Sequence, residues 1–377
     1  MGKGQTGTAY DLIYMKEFIA KAFNLPILEK KRMAWVDYLR GIAILLVVYR
    51  HVLIGLQRSN LDIPSALVTA NMIFFSFRMP LFFILSGIFV SGSIARRPLN
   101  KLIYIKFENL LYPYLVWAFI QVTLQIVLSK YTNSERTLRD YTFILYQPRG
   151  LDQFWYLPAL FNTTVVYLLL KVRLKAPAWS LLVLGAILYV LSPFCERVSM
   201  MSDWMEFFIF FALGDSISTL FFKDRTQAFL KRPFTLVWIT PIFILTQLYY
   251  LSRVSVAEGE ALGMSFRYEF LLIALIGCFS MFVLAFRMQS WGFFPFLRVL
   301  GFHSLFIYVM HVIVAAFVRV FLTKVLGLHN PVALLLCGIA AGVTIPVIFY
   351  NLWIKDGPLW FLFSPKKPAK GAAPATA

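Results

Sequence analysis

Arg40 and His51 stand eleven residues apart inside one apolar run, 35-WVDYLRGIAILLVVYRHV-52. On a helix, eleven residues make three turns with an offset of only ~20°, so both side chains share a stripe. Asp37, three residues before Arg40, falls on the same stripe. At ~1.5 Å rise per residue, Arg40 and His51 lie roughly 16 Å apart along the axis. Ionisable groups within an apolar segment are costly and usually face a bundle interior or a water-filled cavity. A neutral imidazole can take a proton from an attacking hydroxyl, and an ordinary imidazole titrates near neutral pH. A guanidinium can hold a phosphate oxygen or stabilise charge in a channel. At this separation the two cannot serve one atom, but they can serve two ends of an elongated molecule. Bland readings stand beside these. His51 could bond a loop carbonyl at the outer interface, and Arg40 could snorkel to headgroups or pair with Asp37. Asp37 in turn could orient Arg40 or act as an interfacial cap.

Ser304, Tyr308 and His311 recur at i, i+4 and i+7, again one helix face. Such a stripe either lines a substrate site or ties helices together by hydrogen bonds. Trp155 and Tyr156 open an apolar run behind a polar loop. An interfacial aromatic belt accounts for them, and their ring faces also suit sugar stacking. Arg78 begins another run, either as an anchor of its outer end or as a contact to an acceptor. Arg50 points ~100° away from His51 and suits snorkelling to outer headgroups. Glu108, Gln121, Gln125, Glu206, Asp215 and Glu269 are further polar residues at or within apolar runs, and spacing does not choose among them. Cys195, Cys278 and Cys337 show neither metal nor disulfide spacing, so no metal is expected.

The elements that must position these residues are transmembrane helices. The chain of 377 residues is 60% hydrophobic and 14% charged, where a soluble domain carries roughly a quarter charged residues. Runs long enough to span read as 35–55, 67–93, 110–129, 154–171, 177–194, 204–222, 234–251, 267–286, 298–322 and 332–354. The predicted fold is therefore all-α, a polytopic transmembrane bundle of about ten helices. With both termini cytoplasmic, Lys and Arg fall on the inner side by roughly two to one, as the positive-inside rule requires. The formal charge of +18 is thus topological, and nucleic acid is rejected as a partner.

Three regions follow. Residues 1–32 form a cytoplasmic segment in which Leu12, Ile13, Phe18, Ile19 and Phe23 alternate with Lys16, Glu17 and Lys21. That pattern suits an interfacial helix or a partly ordered tail, and it lacks a signal-peptide core. Residues 33–355 form the membrane domain. Residues 356–377 read as a basic cytoplasmic tail, low in complexity over 365-PKKPAKGAAPATA-377 and expected to be disordered. The longer outer loops fall at about 130–153 and 252–267, and no internal repeat stands out.

Four segments together resemble the integral-membrane acyltransferase 3 family, which includes fucose 4-O-acetylase-like and glucan-modifying enzymes. They are 37-DYLRGIAILLVVYRH-51, with Arg and His separated by ten residues; 77-FRMPLFFILSGIFVSGS-93; 153-QFWYLPALF-161; and 301-GFHSLFIYVMHVIV-314. The resemblance runs over about residues 33–355. It implies an acyl-coenzyme A donor, acetyl-CoA or another acyl-CoA, and a glycan or lipid-linked glycan acceptor. It also implies a bacterial cytoplasmic membrane as the location. The family often carries an Arg-x-x-Arg pair before the third helix, where this chain has Lys106 and Asn109. If that pair holds donor phosphates, Lys106 with Arg96, Arg97 and Lys101 must do so here.

The expected mechanism is transmembrane acyl transfer. Arg40 and the basic cluster hold the donor at the cytoplasmic end, and His51 activates a sugar hydroxyl near the outer end, as base or transient acyl carrier. Trp155, Tyr156, Arg78, Ser304, Tyr308 and His311 are the candidates for contacting substrate. A secondary transporter or lipid-linked-glycan flippase could use the same ionisable residues as a proton relay or substrate path. A purely structural scaffold would leave the aligned stripe without a reason.

Overall fold

The computed structural model describes residues 5–29, 33–59, 61–129, 136–254 and 266–367. Among the described residues there is no strand, and ten helices are long and apolar enough to cross a membrane. A leading helix α1 (Gln5–Phe23) precedes them. The spans are α2 (Ala34–Gln57), α3 (Ser65–Ile94), α4 (Leu99–Val127), α5 (Pro148–Arg173), α6 (Ala178–Cys195), α7 (Ser199–Phe221), α8 (Pro233–Arg253), α9 (Arg267–Trp291), α10 (Ser304–Val325) and α11 (Pro331–Ile354). Several starts are written in the sequence. Pro233 and Pro331 stand at helix N-termini, where a missing N–H costs nothing. The Asn330 side chain accepts from the Ala333 N–H at 3.0 Å and caps α11.

α2 is the axis of the bundle, with α3, α9, α10 and α11 packed around it. Trp35, Leu39, Val48 and Leu53 along its length are almost wholly buried. α6 and α8 lie at the edge and expose Trp179, Val183, Phe234 and Leu245, as a lipid-facing surface permits.

The structure breaks the ninth expected span, 298–322, into two pieces. A short helix, Phe296–Phe302, ends at His303, and α10 begins at Ser304. The short helix crosses α2 so closely that a Cβ on Gly301 would overlap the Asp37 carbonyl oxygen, and one on Gly41 would overlap that of Leu297. Two glycines opposed in this way let backbones touch, a membrane packing device. Four spans also carry a five-residue turn of π-helix, at Phe107–Leu111, Leu169–Arg173, Phe321–Val325 and Tyr350–Ile354.

The chain entering α5 dips into the bundle instead of staying in the outer loop. Asp152 adopts a left-handed φ of 59°, and Gln153 is fully buried, its amide donating to Gln121 Oε1 at 2.8 Å. Ion pairs hold this re-entry. Arg149 binds Asp203 and, at 3.4 Å, Glu206 of α7, with its guanidinium 4.5 Å from the Trp155 ring. Asp152 takes Arg58 at 2.8 Å and Arg136 at 3.7 Å.

Residues 356–363, assigned above to the disordered tail, fold back on the bundle. The Tyr112 hydroxyl donates to the Phe361 carbonyl at 2.6 Å and Trp117 Nε1 to that of Leu362 at 3.1 Å. Phe363 packs 4.9 Å from Phe306. Aromatic residues inside a nominally polar tail supply the reason. The remainder at 368–377 lies outside the described residues, as do the loop residues expected at 130–135 and 255–265 and the basic 30–32. α1 is joined to α11 through Asn351 Nδ2, which donates to the Ala22 carbonyl at 3.0 Å.

Candidate active site

Regular α2 geometry sends Arg40 and His51 into two different cavities. Arg40, half-buried, lines one of about 80 Å³ together with Phe82, Ser86, Tyr156, Ser304 and Tyr308. His51 lines a second of about 280 Å³, where the polar wall is Arg58, Gln121, Gln125, Asp152 and Arg319. Apolar walls of this second cavity come from α4, α10 and α11. The two cavities share no lining residue.

Four rings run between them. Tyr156 lies 5.4 Å from Tyr308, Tyr308 6.3 Å from His311, and His311 5.2 Å from His51, centroid to centroid. The Tyr308 hydroxyl donates to the Gln153 carbonyl, which ties the ring chain to the re-entrant segment. His311 is fully buried, and its Nδ1 lies 2.8 Å from the Tyr308 carbonyl and 3.0 Å from that of Ile307. Only a protonated Nδ1 satisfies those carbonyls, so in neutral His311 the lone pair sits on Nε2. That Nε2 has no hydrogen-bond partner among the described residues. The guanidiniums of Arg50, Arg58 and Arg78 all act electrostatically on His51.

Of the late stripe, Ser304 and Tyr308 line the Arg40 cavity, Tyr308 also ties α10 to the re-entrant segment, and His311 lines neither cavity and packs against His51. Tyr156 is no belt residue. It is buried against Phe82, Phe83 and Tyr308, because the re-entry carries it inward. Trp155 is half-buried between Arg149 and Phe207 and lines neither cavity. Arg78 is not an outer anchor. It is buried in the bundle, donating to the Leu46 carbonyl of α2 at 3.2 Å and to Asn71 Oδ1 at 3.1 Å. Arg50 lies with its guanidinium 5.4 Å from the Phe75 ring. Asp37 is fully buried at the glycine crossing and lines neither cavity.

Of the basic cluster, Lys106 is half-buried and senses the charges of Arg40 and Arg97. It immediately precedes the π-helical turn of α4, and in that turn the Asn109 side-chain N–H2 is buried without a partner among the described residues. Arg96, Arg97 and Lys101 are exposed, with Arg96 Nε on the Gly92 carbonyl at 2.7 Å. They sit before and in the first turn of α4, Arg97 acts on the charge of Lys106, and none of the three lines the Arg40 cavity. Among the described residues no group of three His, Cys, Asp or Glu side chains is arranged to hold a metal.

Sequence reasoning missed Arg58, Arg319 and Asp152. For Arg58 a signal existed: it follows His51 by seven residues, two turns, and so continues the Arg40–His51 stripe. Arg319 and Asp152 carried none, since tertiary packing alone brings them to α2.

A family model for the acyltransferase domain of the acyltransferase 3 family matches residues 33–351. The chain belongs to the acyltransferase 3 family. No curated protein and no solved structure matches it. With ten helices among the described residues long and apolar enough to cross a membrane, this is an integral membrane acyltransferase. The family match covers α2 through most of α11, so both cavities of the acyltransferase lie within the matched region.

Proposed function

We propose that this acyltransferase moves an acyl group, most simply acetyl, from cytoplasmic acyl-coenzyme A to a carbohydrate hydroxyl presented from the other side of a bacterial cytoplasmic membrane. The observation that carries the reading is the pair of cavities. Arg40 and His51 open into separate spaces that back onto each other across Tyr308 and His311. A donor that stays on one side and an acceptor that stays on the other need that arrangement.

In this reading the donor phosphates bind at the basic cluster of Lys106, Arg97, Arg96 and Lys101, and Arg40 receives the arm that carries the thioester. A guanidinium and ammonium groups suit phosphate oxygens. The thioester carbonyl then reaches the His51 end past Tyr308. A sugar hydroxyl attacks the carbonyl carbon while its proton passes to an imidazole nitrogen of His51. The tetrahedral intermediate collapses, the C–S bond breaks, and the imidazolium returns the proton to the departing sulfur, leaving an ester and a free thiol. The unpartnered Nε2 of His311 can share that proton. His51 can instead carry the acyl group first: an imidazole nitrogen attacks the thioester carbonyl, the C–S bond breaks, and coenzyme A leaves as the thiol with the imidazole proton. The sugar hydroxyl then attacks the acyl-imidazole, breaking its C–N bond and returning its proton to the imidazole.

The test uses purified protein, radiolabelled acetyl-coenzyme A and a panel of glycans and lipid-linked glycans. Label is expected on the glycan, and His51→Ala should lower the rate by about 10²–10⁴-fold while the protein still inserts and folds. Wild-type turnover in His51→Ala removes His51 from the reaction. Absence of transfer across the panel, with solute accumulation in proteoliposomes, overturns the enzyme in favour of a transporter. Lys106→Ala should raise the Michaelis constant for the donor and leave that for the acceptor, and an unchanged donor constant removes Lys106 from donor binding.

A further inference from the structure

The His51 cavity has the walls of a site for an amphiphile. Leu124 of α4 and Leu128 just past its end line it together with Ala315, Ala316, Phe317 and Val320 of α10. Phe317 is 53% exposed, so the apolar wall runs from the cavity to the lipid-facing surface of α10. A hydrocarbon chain can enter there sideways without crossing a polar barrier.

Charge gathers at the other edge. Arg319 and Arg58 both line the cavity and sense each other's charge. Arg58 is paired with Asp152 at 2.8 Å, and Arg136 shares that carboxylate at 3.7 Å. The Arg319 guanidinium donates to a neutral group, the Gly55 carbonyl. Arg136 also reaches Asp140 at 3.7 Å, so Arg58 and Arg136 are answered by two carboxylates, whereas Arg319 has none within ion-pair distance among the described residues. A guanidinium in a low-dielectric setting, repelled by the neighbouring Arg58, is stabilised by an anion. Phosphate matches the planar fork of arginine.

Between charge and chemistry lies a polar strip. His51 is seven residues before Arg58, about 10 Å along α2. Gln121 and Gln125 line the same stretch, and Gln125 Oε1 is buried with no hydrogen-bond partner among the described residues. An unpartnered buried acceptor is costly and suits a hydroxyl donor from a sugar.

We infer that this cavity is the acceptor site and that it takes a phosphate-bearing lipid. The phosphate lies at Arg319 and Arg58, the hydrocarbon runs along the α4–α10 wall, and the attached sugar extends down the glutamine strip to His51. The identity of the acylated molecule rests on the acyl-transfer reading, whereas binding is measured without a donor. The hydroxyl acylated should belong to the first sugars counted from the phosphate.

The experiment titrates the purified protein, without acyl-coenzyme A, with farnesyl phosphate, farnesol, inorganic phosphate and dioctanoyl phosphatidic acid, read by native mass spectrometry and thermal shift. Farnesyl phosphate or the phosphatidic acid should bind saturably, with farnesol and inorganic phosphate at least tenfold weaker. A preference for farnesyl phosphate assigns an isoprenoid tail, and the opposite preference a glycerolipid one. Arg319→Gln and Ala316→Trp should each weaken binding at least tenfold, whereas Arg319→Lys should retain part of it and so separate lost charge from lost fold. Equal binding of farnesol and farnesyl phosphate overturns the inference, as does unchanged affinity in both Arg319→Gln and Ala316→Trp. Binding without acyl transfer leaves this site standing and defeats the enzyme reading. Equal kcat/KM for a soluble glycan and its lipid-phosphate form overturns lipid anchoring while leaving acyl transfer intact.

Discussion

His311 is held by two carbonyls at Nδ1, and its Nε2 has no hydrogen-bond partner among the described residues. A side chain that only joined helices would not need a lone pair left on Nε2 beside His51. If the pair shares the reaction proton, His311→Gln should lower kcat by about 10²-fold and alter the acidic limb of the rate–pH profile. The check is that profile in wild type and variant, and an unaltered shape with normal turnover would assign His311 to packing. As a base, His51 works neutral, so the rate should fall as pH drops through the titration of the imidazole pair. At this scale the sequence was informative where helical period alone decides. Three turns bring Arg40 and His51 onto one stripe whatever the neighbours do. It was silent on Arg319, whose relation to Gly55 requires α10 to lie beside α2.

Single elements depend on close approach and on paired charge. Gly301→Ala sets a methyl group against the Asp37 carbonyl, and backbone cannot rotate away as a side chain can. The variant should lose about 1–3 kcal/mol, typical of overpacking, seen as a lower Tm in detergent, and acyl transfer should fall as the Arg40 cavity shifts. A Tm equal to wild type would mean that the crossing is looser than described. The re-entrant segment is held from α7 by Arg149, and Arg149→Ala leaves the buried Asp203 carboxylate without that partner. Removing one partner of a buried pair costs more than removing both. Arg149→Ala should therefore lower Tm, and adding Asp203→Asn should recover part of the loss; a double variant no better than the single refutes this role. The existence of spans was legible because bilayer thickness sets their length. The break at His303 and the re-entry at Asp152 were not, since a short-helix crossing and a set of ion pairs from distant residues create them. Trp155 and Tyr156 show the consequence: they are adjacent in sequence, yet Tyr156 reaches the Arg40 cavity while Trp155 stacks on Arg149.

For the whole molecule, the ten candidate spans among the described residues and the bias of the basic residues together predict that both termini lie in the cytoplasm. Reporter fusions at residue 1 and residue 377 should both report the cytoplasm, and one at Ser199 the opposite face; termini on different sides would exclude a ten-span topology. The sequence by itself determined the membrane setting, the number of helices, the family and the shared stripe of Arg40 and His51. Each of these follows from composition, period or local motif, and none needs a distant contact. Only the tertiary structure decided that the stripe opens into two cavities instead of one. It alone brought Tyr156, Tyr308, His311 and His51 into successive ring contact, buried Arg78 outside the lining of either cavity, and gathered Arg58, Arg319 and Asp152 around one cavity. Those relations depend on which helices touch and at what depth, and in a bundle whose surfaces are nearly uniformly apolar, hydrophobic pattern does not encode the choice of neighbour. Glycine crossings and buried ion pairs make that choice, and they become readable only once the partners on both sides are in place.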